Sequence, residues 1–131
     1  MKTLQDVMKR EVEALPPDLS LRLAAEVMRR LDVRALPVCE GRRLLGLVTD
    51  RDIVVRGLAL GRNPDSSQVS TVMTEEIQQV SQDTRLEDAA DLLEEHHLQR
   101  LLVVDEQERM VGLVSLEDFP SEVRSPALTL H

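Results

Sequence analysis

The chain has 131 residues, a formal net charge of −8 and 42% hydrophobic residues, which suits one compact domain with a core. The acidic balance and the lack of a basic tract argue against nucleic acid as a partner. No apolar run approaches the roughly 18 residues of a membrane span, and charged residues interrupt any signal-peptide pattern. The single cysteine, Cys39, cannot form an internal disulfide, so we expect a reducing, cytoplasmic setting.

Charge is distributed unevenly along the chain. Residues 1–65 contain 12 Lys and Arg against 10 Asp and Glu, whereas residues 66–131 contain 4 against 14. One interpretation is that solvated helix faces differ in sign. The other is that the basic half of one subunit attracts the acidic half of another.

The sequence contains a tandem repeat whose copies are offset by 65 residues, and by 66 after one inserted residue. The matching pairs are Val7-Met8 with Val72-Met73, Ala24-Ala25 with Ala89-Ala90, and Gly46-Leu47-Val48 with Gly112-Leu113-Val114. The predicted domains are a first repeat with an N-terminal helix at 1–62, a joining segment at 63–71, a second repeat at 72–124 and a flexible tail at 125–131.

Each repeat is predicted to run strand, helix, strand, strand, helix. In chain order, the predicted elements of the first repeat are an outer helix over 2–9, a strand over 12–15, a helix over 21–31, a hairpin of strands over 36–39 and 44–48, and a closing helix over 50–60. Their counterparts are a segment at 69–73, a strand over 77–81, a helix from Leu86, a hairpin over 101–104 and 110–114, and a closing helix near Leu116 that Pro120 cuts off. The predicted fold class is α+β, with two β-α-β-β-α repeats packed face to face in pseudo-two-fold symmetry.

A hydroxyl residue closes the last strand of each repeat, and a carboxylate follows three positions later. These motifs are Thr49-x-x-Asp52 and Ser115-x-x-Asp118. Such a motif places a hydroxyl, an Asp and unpaired backbone N–H groups at a helix start. This combination favours the binding of an anion or of the hydroxyls of a ribose. The alternative is that each motif caps a helix and binds nothing.

Over residues 7–119 the chain resembles a tandem pair of cystathionine-beta-synthase (CBS) domains, the unit called a Bateman module. It looks like the small stand-alone CBS-pair proteins, which are often linked to stress responses or signal transduction. The resemblance rests on the repeated pairs above, on Leu36-Pro37-Val38 and on the two hydroxyl–carboxylate motifs. It implies a non-catalytic regulatory module that binds AMP, ADP or ATP in the cleft between the repeats, with S-adenosylmethionine as a further candidate and no required cofactor.

The resemblance also implies roles for particular residues. Asp52 and Asp118 would hold ribose hydroxyls, and Thr49 and Ser115 would approach phosphate or sugar. The remaining positions are Val12 and Ile77, on the first strands beside adenine, and Arg34 or Arg100, just before the second strand and near phosphate.

The two corners carry opposite charges just before the carboxylate, because Arg51 in the first is replaced by Glu117 in the second. Arg can form paired hydrogen bonds with a phosphate, whereas a carboxylate repels it, so we expect the first corner to be the better site. In the alternative interpretation, Arg51 is an exposed helix residue paired with a nearby carboxylate.

No other residue pattern predicts chemistry. The candidate metal ligands are His96, His97, Cys39 and His131, but adjacent histidines do not match the i, i+4 pair of helical zinc sites, so we expect no metal. No nucleophile–base arrangement is present, and we expect no enzyme activity. The expected partners are a second copy of the chain in a homodimer and an unidentified protein. The competing hypothesis is a module that has lost its ligand and acts only through protein contacts.

Overall fold

The computed structural model describes residues 1–75, 77–98 and 100–123. The chain divides into two compact units. We call Glu13–Ile77 the continuous unit, and Met1–Val12 together with the chain from Gln78 onward the split unit. The predicted repeat boundaries stay a prediction, and the tail predicted at 125–131 lies outside the described residues.

The continuous unit is built on an antiparallel hairpin that packs against helices. Its elements are α1 (Leu21–Leu31), β1 (Ala35–Glu40), β2 (Arg43–Thr49) and α2 (Asp50–Asp52), followed by a π-helical turn (Ile53–Gly57) and a 3₁₀ turn (Leu58–Leu60). The Ser20 hydroxyl caps α1 by accepting from the Leu23 amide at 3.2 Å. Helical backbone from 50 to 60 confirms the predicted closing helix, although its hydrogen bonding changes type along its length.

The split unit carries a three-stranded sheet in the order β3-β4-β5. Its elements are β3 (Gln79–Ser81), α3 (Leu86–Glu95), β4 (Arg100–Val104), β5 (Met110–Ser115) and two 3₁₀ turns (Leu116–Asp118 and Ser121–Val123). Strand β3 runs parallel to β4, and β4 is antiparallel to β5. The predicted second hairpin and its short closing helix are confirmed, and the mixed helix and sheet content confirms the α+β class.

The predicted strand over Val12–Leu15 is wrong. Only Leu15 pairs, through a single parallel bridge to Val38. The Leu15 amide donates to the Pro37 carbonyl and the Cys39 amide donates to the Leu15 carbonyl, each at 2.9 Å. The two prolines that follow Leu15 have no N–H to donate, so the pairing cannot continue in that direction.

The outer position predicted for the helix over 2–9 is also wrong. A 3₁₀ turn forms at Leu4–Asp6, but Leu4 is fully buried and Met8 is 7% exposed, both in the core of the split unit. The amide of Lys9 donates to the carbonyl of Leu113 at 2.8 Å, and the amide of Leu113 donates to the carbonyl of Lys9 at 2.9 Å. Apolar side chains that leave water determine this placement, because burying a Leu stabilises the fold by about 1.5–3 kcal/mol.

Residues 69–74 have the same role in the continuous unit. Val69 and Val72 are fully buried there, and Thr74 pairs with Leu47 on the edge of β2. Each hairpin is therefore covered by the residues that precede the first predicted strand of the other repeat. Among the described residues, no helix is long and apolar enough to cross a membrane.

Candidate functional site

The end of β2 and the start of α2 form the first corner. The amide of Thr49 donates to Oδ2 of Asp52 at 3.0 Å, and the amide of Asp52 donates to Oγ1 of Thr49 at 3.0 Å. This reciprocal pair is a capping box, which satisfies two amides that the helix leaves without partners. The three-residue spacing seen in the sequence therefore brings the hydroxyl and the carboxylate together.

Both side chains keep hydrogen-bonding capacity after the box is made. Asp52 is only 9% exposed, and no residue in the described ranges donates to its Oδ1. The Thr49 hydroxyl is used as an acceptor, so its own proton is left to donate. The corner thus offers one carboxylate acceptor and one hydroxyl donor.

Two cationic residues lie beside these groups. The amide of Asp50 donates to the main-chain carbonyl of Arg34 at 2.9 Å, which places the Arg34 backbone at the start of α2. Arg51 follows within the same helical turn, and both side chains are exposed. Neither guanidinium forms an ion pair with a residue that the structure describes. The pairing of Arg51 with a nearby carboxylate is therefore absent from the described part of the chain.

The second corner, Ser115 with Asp118, has the same spacing, but its hydroxyl donates a hydrogen bond to the carboxylate. The amide of Ser115 donates to Oδ2 of Asp118 at 2.9 Å, and the Ser115 hydroxyl donates to the same oxygen at 3.1 Å. That hydroxyl proton is already used, unlike the proton of Thr49. Glu117 is exposed here and adds negative charge at the position that Arg51 occupies in the first corner.

The position expected for Arg100 needs a correction. Arg100 is the first residue of β4 and lies opposite Ser115, whereas Arg34 precedes β1 and it is Ala35 that lies opposite Thr49. Arg100 is also half-buried, while Arg34 is exposed. The one-residue difference matters because successive side chains of a strand point to opposite faces.

The residues predicted to flank adenine belong to different units. Val12 lies in the split unit outside any strand, and Ile77 lies in the continuous unit two positions before β3. Both are half-buried. Their proposed contact with adenine stays a prediction.

Contacts around the joining segment were missed by the sequence reasoning. The Arg56 guanidinium donates to the carbonyls of Val72 and Met73 at 3.3 and 3.4 Å. A Cβ on Gly46 would lie 2.8 Å from the carbonyl oxygen of Thr74. The repetition of Val-Met and of Gly in both copies was a signal of a shared packing role, but it did not indicate which hairpin each segment covers.

The remaining candidate groups are Cys39 and the histidines. Cys39 is buried, and burial raises the pKa of its thiol, so it is a weak nucleophile at neutral pH. Among residues 1–75, 77–98 and 100–123, no three His, Cys, Asp or Glu side chains are grouped as metal ligands. His131 lies outside the part of the chain that is described.

Comparison with known proteins relates the whole chain to one family. The model of the CBS domain matches residues 4–58 and 69–124. The CBS domain-containing protein YhcV of Bacillus subtilis is 38% identical over 118 residues, which are 90% of this chain and 83% of YhcV. Hypoxic response protein 1 of Mycobacterium tuberculosis is 33% identical over 129 residues, 98% of this chain and 90% of that protein.

Solved structures give the same result. A crystal structure of Hypoxic Response Protein I with two coordinated zinc ions has a TM-score of 0.80 and 35% identity, and the match covers 90% of this chain and 96% of that one. The structure of CBSX2 from Arabidopsis thaliana in complex with AMP has a TM-score of 0.75 and 29% identity, and the match covers 88% of this chain and 91% of that one.

Proposed function

Because the chain belongs to the CBS-domain family and carries two CBS domains, we propose that it is a non-catalytic regulatory module that binds an adenine nucleotide. The ligand is AMP, ADP or ATP, and its main contacts are at the corner formed by Thr49, Arg51 and Asp52. The cleft between the two repeats, where the family resemblance locates such ligands, stays a prediction.

The observation that carries this proposal is the unused bonding capacity of the first corner. Asp52 offers Oδ1 to a ribose hydroxyl, and Thr49 offers its hydroxyl proton to a phosphate oxygen. Arg34 and Arg51 supply exposed positive charge beside them. A guanidinium forms short, charge-assisted hydrogen bonds with phosphate, so the corner favours a ligand that carries one.

A relative supports the ligand class. CBSX2, which shares 29% identity with this chain, has been crystallised in complex with AMP. S-adenosylmethionine is a weaker candidate here, because its positively charged sulfonium would lie near two arginines. We propose that the Ser115 corner is empty or takes an uncharged ligand such as adenosine, since its hydroxyl is occupied and Glu117 adds negative charge.

A second function is favoured by the capping boxes themselves. In both corners the hydroxyl residue and the carboxylate residue hydrogen-bond each other, and a capping box of this kind stabilises a helix start with no ligand. A module of this kind would act only through dimerisation or a protein partner. The two functions differ in one measurable property, the affinity for adenine nucleotides.

The biological setting is part of the proposal. We place the protein in the cytoplasm, in signalling or stress response, acting as a homodimer or on a separate protein. The link to stress follows from the relative named Hypoxic response protein 1. The expected absence of nucleic-acid binding follows from the net charge of −8.

Thermal unfolding with millimolar AMP, ADP, ATP, S-adenosylmethionine or NAD tests the proposal. A ligand at about 100 times its dissociation constant stabilises the folded state by about 2.7 kcal/mol. We expect AMP, ADP or ATP to raise the melting temperature. If no adenosyl compound raises it, the nucleotide proposal is wrong and the protein-contact function is favoured.

Calorimetric titration of variants then locates the site. Arg51→Glu should weaken AMP binding at least tenfold and leave adenosine binding nearly unchanged, because only AMP carries the phosphate. Asp52→Ala should abolish AMP binding and the binding of adenosine at the first corner. Asp118→Ala is the matched control, since it removes the equivalent carboxylate from the second corner, and it should retain AMP binding. Loss of AMP binding in Asp118→Ala but not in Asp52→Ala would assign the site to the other corner.

A further inference from the structure

The side chain of Arg56 joins the closing helix of the continuous unit to residues 69–74. Its Nη1 donates to the carbonyl of Val72 at 3.3 Å and to the carbonyl of Met73 at 3.4 Å. Among the described residues, no backbone amide donates to either of these carbonyls. Val72 is fully buried, and a buried carbonyl without a partner is unfavourable. Arg56 therefore supplies hydrogen bonds that this part of the backbone otherwise lacks.

Gly57 allows the closing helix to come close enough for this contact. A Cβ on Gly57 would lie 2.9 Å from Cδ1 of Leu21 and 3.9 Å from Cγ1 of Val72. Because Gly57 has no side chain, the helix packs directly against α1 and Val72 at this point. The preceding residue, Arg56, is exposed, and its own carbonyl accepts from Nε of Arg62 at 3.1 Å. The backbone that carries the Arg56 guanidinium is thus held on both sides.

The residues that Arg56 holds run beside the end of β2. The amide of Thr74 donates to the carbonyl of Leu47 at 2.8 Å, and the amide of Leu47 donates to the carbonyl of Thr74 at 2.9 Å. This bridge is antiparallel, and Thr49 is the last residue of β2. Because the two chains run in opposite directions, residues 72 and 73 lie toward the Thr49 end of the strand. They are therefore on the side of the first corner.

Together these contacts form a closed ring within the continuous unit. The ring runs from β2 through the capping box into the closing helix, from Arg56 to residues 72 and 73, and through Thr74 back to β2. The capping box attaches the start of the helix, and Arg56 attaches the helix about one turn later. The direction of the first turn, which carries Arg51 and Asp52, is therefore fixed at two points.

Within the described residues, the second repeat has no counterpart of this attachment. The offset of 66 that relates the two hairpins also relates Arg56 to Glu122. An ionised carboxylate has no N–H to donate, so Glu122 cannot bond a carbonyl oxygen at neutral pH. No backbone amide in the described ranges donates to the carbonyls of Val7 and Met8, the counterparts of residues 72 and 73. The attachment therefore distinguishes the first corner from the second.

We propose that Arg56 is a positioning residue of the first corner, and that its bonds to residues 72 and 73 hold the helix start in the geometry that the nucleotide requires. The ligand part of this inference rests on the proposed function, whereas the attachment itself needs no ligand. A preformed site binds more tightly because less conformational freedom is lost on binding. The attachment is thus a second reason, besides the charge of Glu117, for the first corner to be the better site.

Amide hydrogen exchange in the absence of nucleotide tests the attachment. Arg56→Met keeps a long unbranched side chain and removes the N–H donors. In this variant the amides of Thr74 and Leu47 should exchange roughly tenfold faster or more, because local opening of the bridge becomes easier. The amides of Lys9 and Leu113 form the equivalent bridge of the split unit and should keep their wild-type rates.

Glu122→Met is the matched control, because it makes the equivalent substitution where no donor is present. It should leave all four amides at their wild-type exchange rates. If the Thr74 and Leu47 amides also keep wild-type rates in Arg56→Met, the two bonds do not hold residues 72 and 73 and the proposal is overturned. If all four amides exchange faster by the same factor, Arg56 supports only the overall stability, which overturns the positioning role as well.

Calorimetric titration with AMP and with adenosine tests the link to the ligand. The titrations use the Asp118→Ala background, in which the second corner has lost its carboxylate. Arg56→Met should weaken both ligands by a similar factor of about three to ten, because the geometry of the corner serves ribose and phosphate alike. Arg51→Glu, in contrast, should weaken only AMP. Arg56→Lys should recover part of the affinity, because its ammonium still donates but lacks the planar fork of a guanidinium.

The outcomes of these titrations separate the possible roles of Arg56. A loss of AMP affinity alone would make Arg56 a direct phosphate ligand and overturn the positioning role. Wild-type affinity for both ligands in Arg56→Met would overturn it too, and would leave the proposed function intact. If the parent protein binds neither compound, the proposed function fails and the ligand role of Arg56 fails with it. The exchange rates of the Thr74 and Leu47 amides still decide whether the attachment exists.

Discussion

Thr49 and Asp52 cap each other, with the amide of each donating to the side chain of the other at 3.0 Å. The same two side chains are the ones proposed to meet a ribose and a phosphate. Since only one carboxylate oxygen and no hydroxyl proton is used by the box, capping and ligand binding are compatible. Removing the Asp52 carboxylate should therefore lower both the stability and the ligand affinity of the protein.

Asp52→Ala should lower the free energy of unfolding by about 1 kcal/mol in the absence of ligand, because it leaves the Thr49 amide without its acceptor. Urea unfolding monitored by circular dichroism measures this change. Asp50→Ala is the control, because its carboxylate is exposed and, among the residues that the structure describes, bonds only the neighbouring Arg51 amide. It should change stability by no more than about 0.5 kcal/mol. If Asp52→Ala and Asp50→Ala lost equal amounts of stability, the capping box would make no specific contribution to the free energy of unfolding.

Leu4→Ala tests the N-terminal segment of the split unit. Leu4 is fully buried in that core, so truncation should cost about 2–5 kcal/mol. Val54→Ala is the control, because Val54 is 54% exposed and its truncation should change stability by less than about 0.5 kcal/mol. Chemical denaturation of both variants provides the comparison. A Leu4→Ala protein as stable as Val54→Ala would mean that residues 1–12 do not complete this core in solution.

Gly46→Ala and Gly112→Ala test how closely the residues around Thr74 and Met8 approach the two hairpins. A Cβ would lie 2.8 Å from the Thr74 carbonyl oxygen at the first position, and 2.6 Å from the Met8 sulfur and 2.9 Å from the Lys9 carbonyl oxygen at the second. Overpacking against backbone atoms costs about 1–3 kcal/mol, so both melting temperatures should fall.

Gly41→Asn is the control for these two variants. Gly41 has a φ of 62° and nothing within 4 Å of an added Cβ, and Asn accepts this left-handed conformation better than most residues. It should unfold near the wild-type temperature. If Gly46→Ala and Gly112→Ala were both as stable as wild type, the close packing of Thr74 and Met8 against the two hairpins would be contradicted.

Asp105→Asn should show a pH-dependent loss of stability. Its carboxylate accepts from the amides of Arg109 and Gln107 at 3.0 and 2.9 Å and lies 2.8 Å from the Arg109 Nε. These bonds, the Arg109 amide first, hold the pKa of Asp105 below its ordinary value. A carboxylate with a lower pKa in the folded state stabilises the fold above its unfolded pKa of about 3.9, and this contribution disappears as the pH falls through the folded value.

Urea unfolding of wild type and Asp105→Asn at neutral and acidic pH measures that contribution. The difference in stability should be largest at pH 7 and should shrink below about pH 4, because the wild-type carboxyl is then protonated. The Asn side chain keeps the size and one acceptor oxygen, so the comparison isolates the charge. If the stability difference between wild type and Asp105→Asn is the same at both pH values, the loss comes from the shape of the side chain and not from its ionisation.

The sequence by itself determined the repeat, most of the element types and the local geometry of the two corners. The spacing of Thr49 and Asp52, and of Ser115 and Asp118, places each pair across one helical turn, so their contacts depend only on neighbouring residues. The helix faces of α1 and α3 were predictable for the same reason, because a 3.6-residue period shows which side chains leave water. Local spacing also revealed that Arg51 and Glu117 occupy matching positions with opposite charge.

Only the tertiary structure decided which segment covers which hairpin. Met8 and Lys9 lie against Gly112 and Leu113 of β5, about a hundred residues later in the chain, and Thr74 pairs with Leu47. The repeated Val-Met pairs are compatible with packing on either hairpin, because both hairpins offer an apolar edge and a glycine. Leu15 was predicted inside a strand, yet its pairing ends at the prolines. Such long-range choices depend on the total apolar surface buried, which no local pattern in the sequence records.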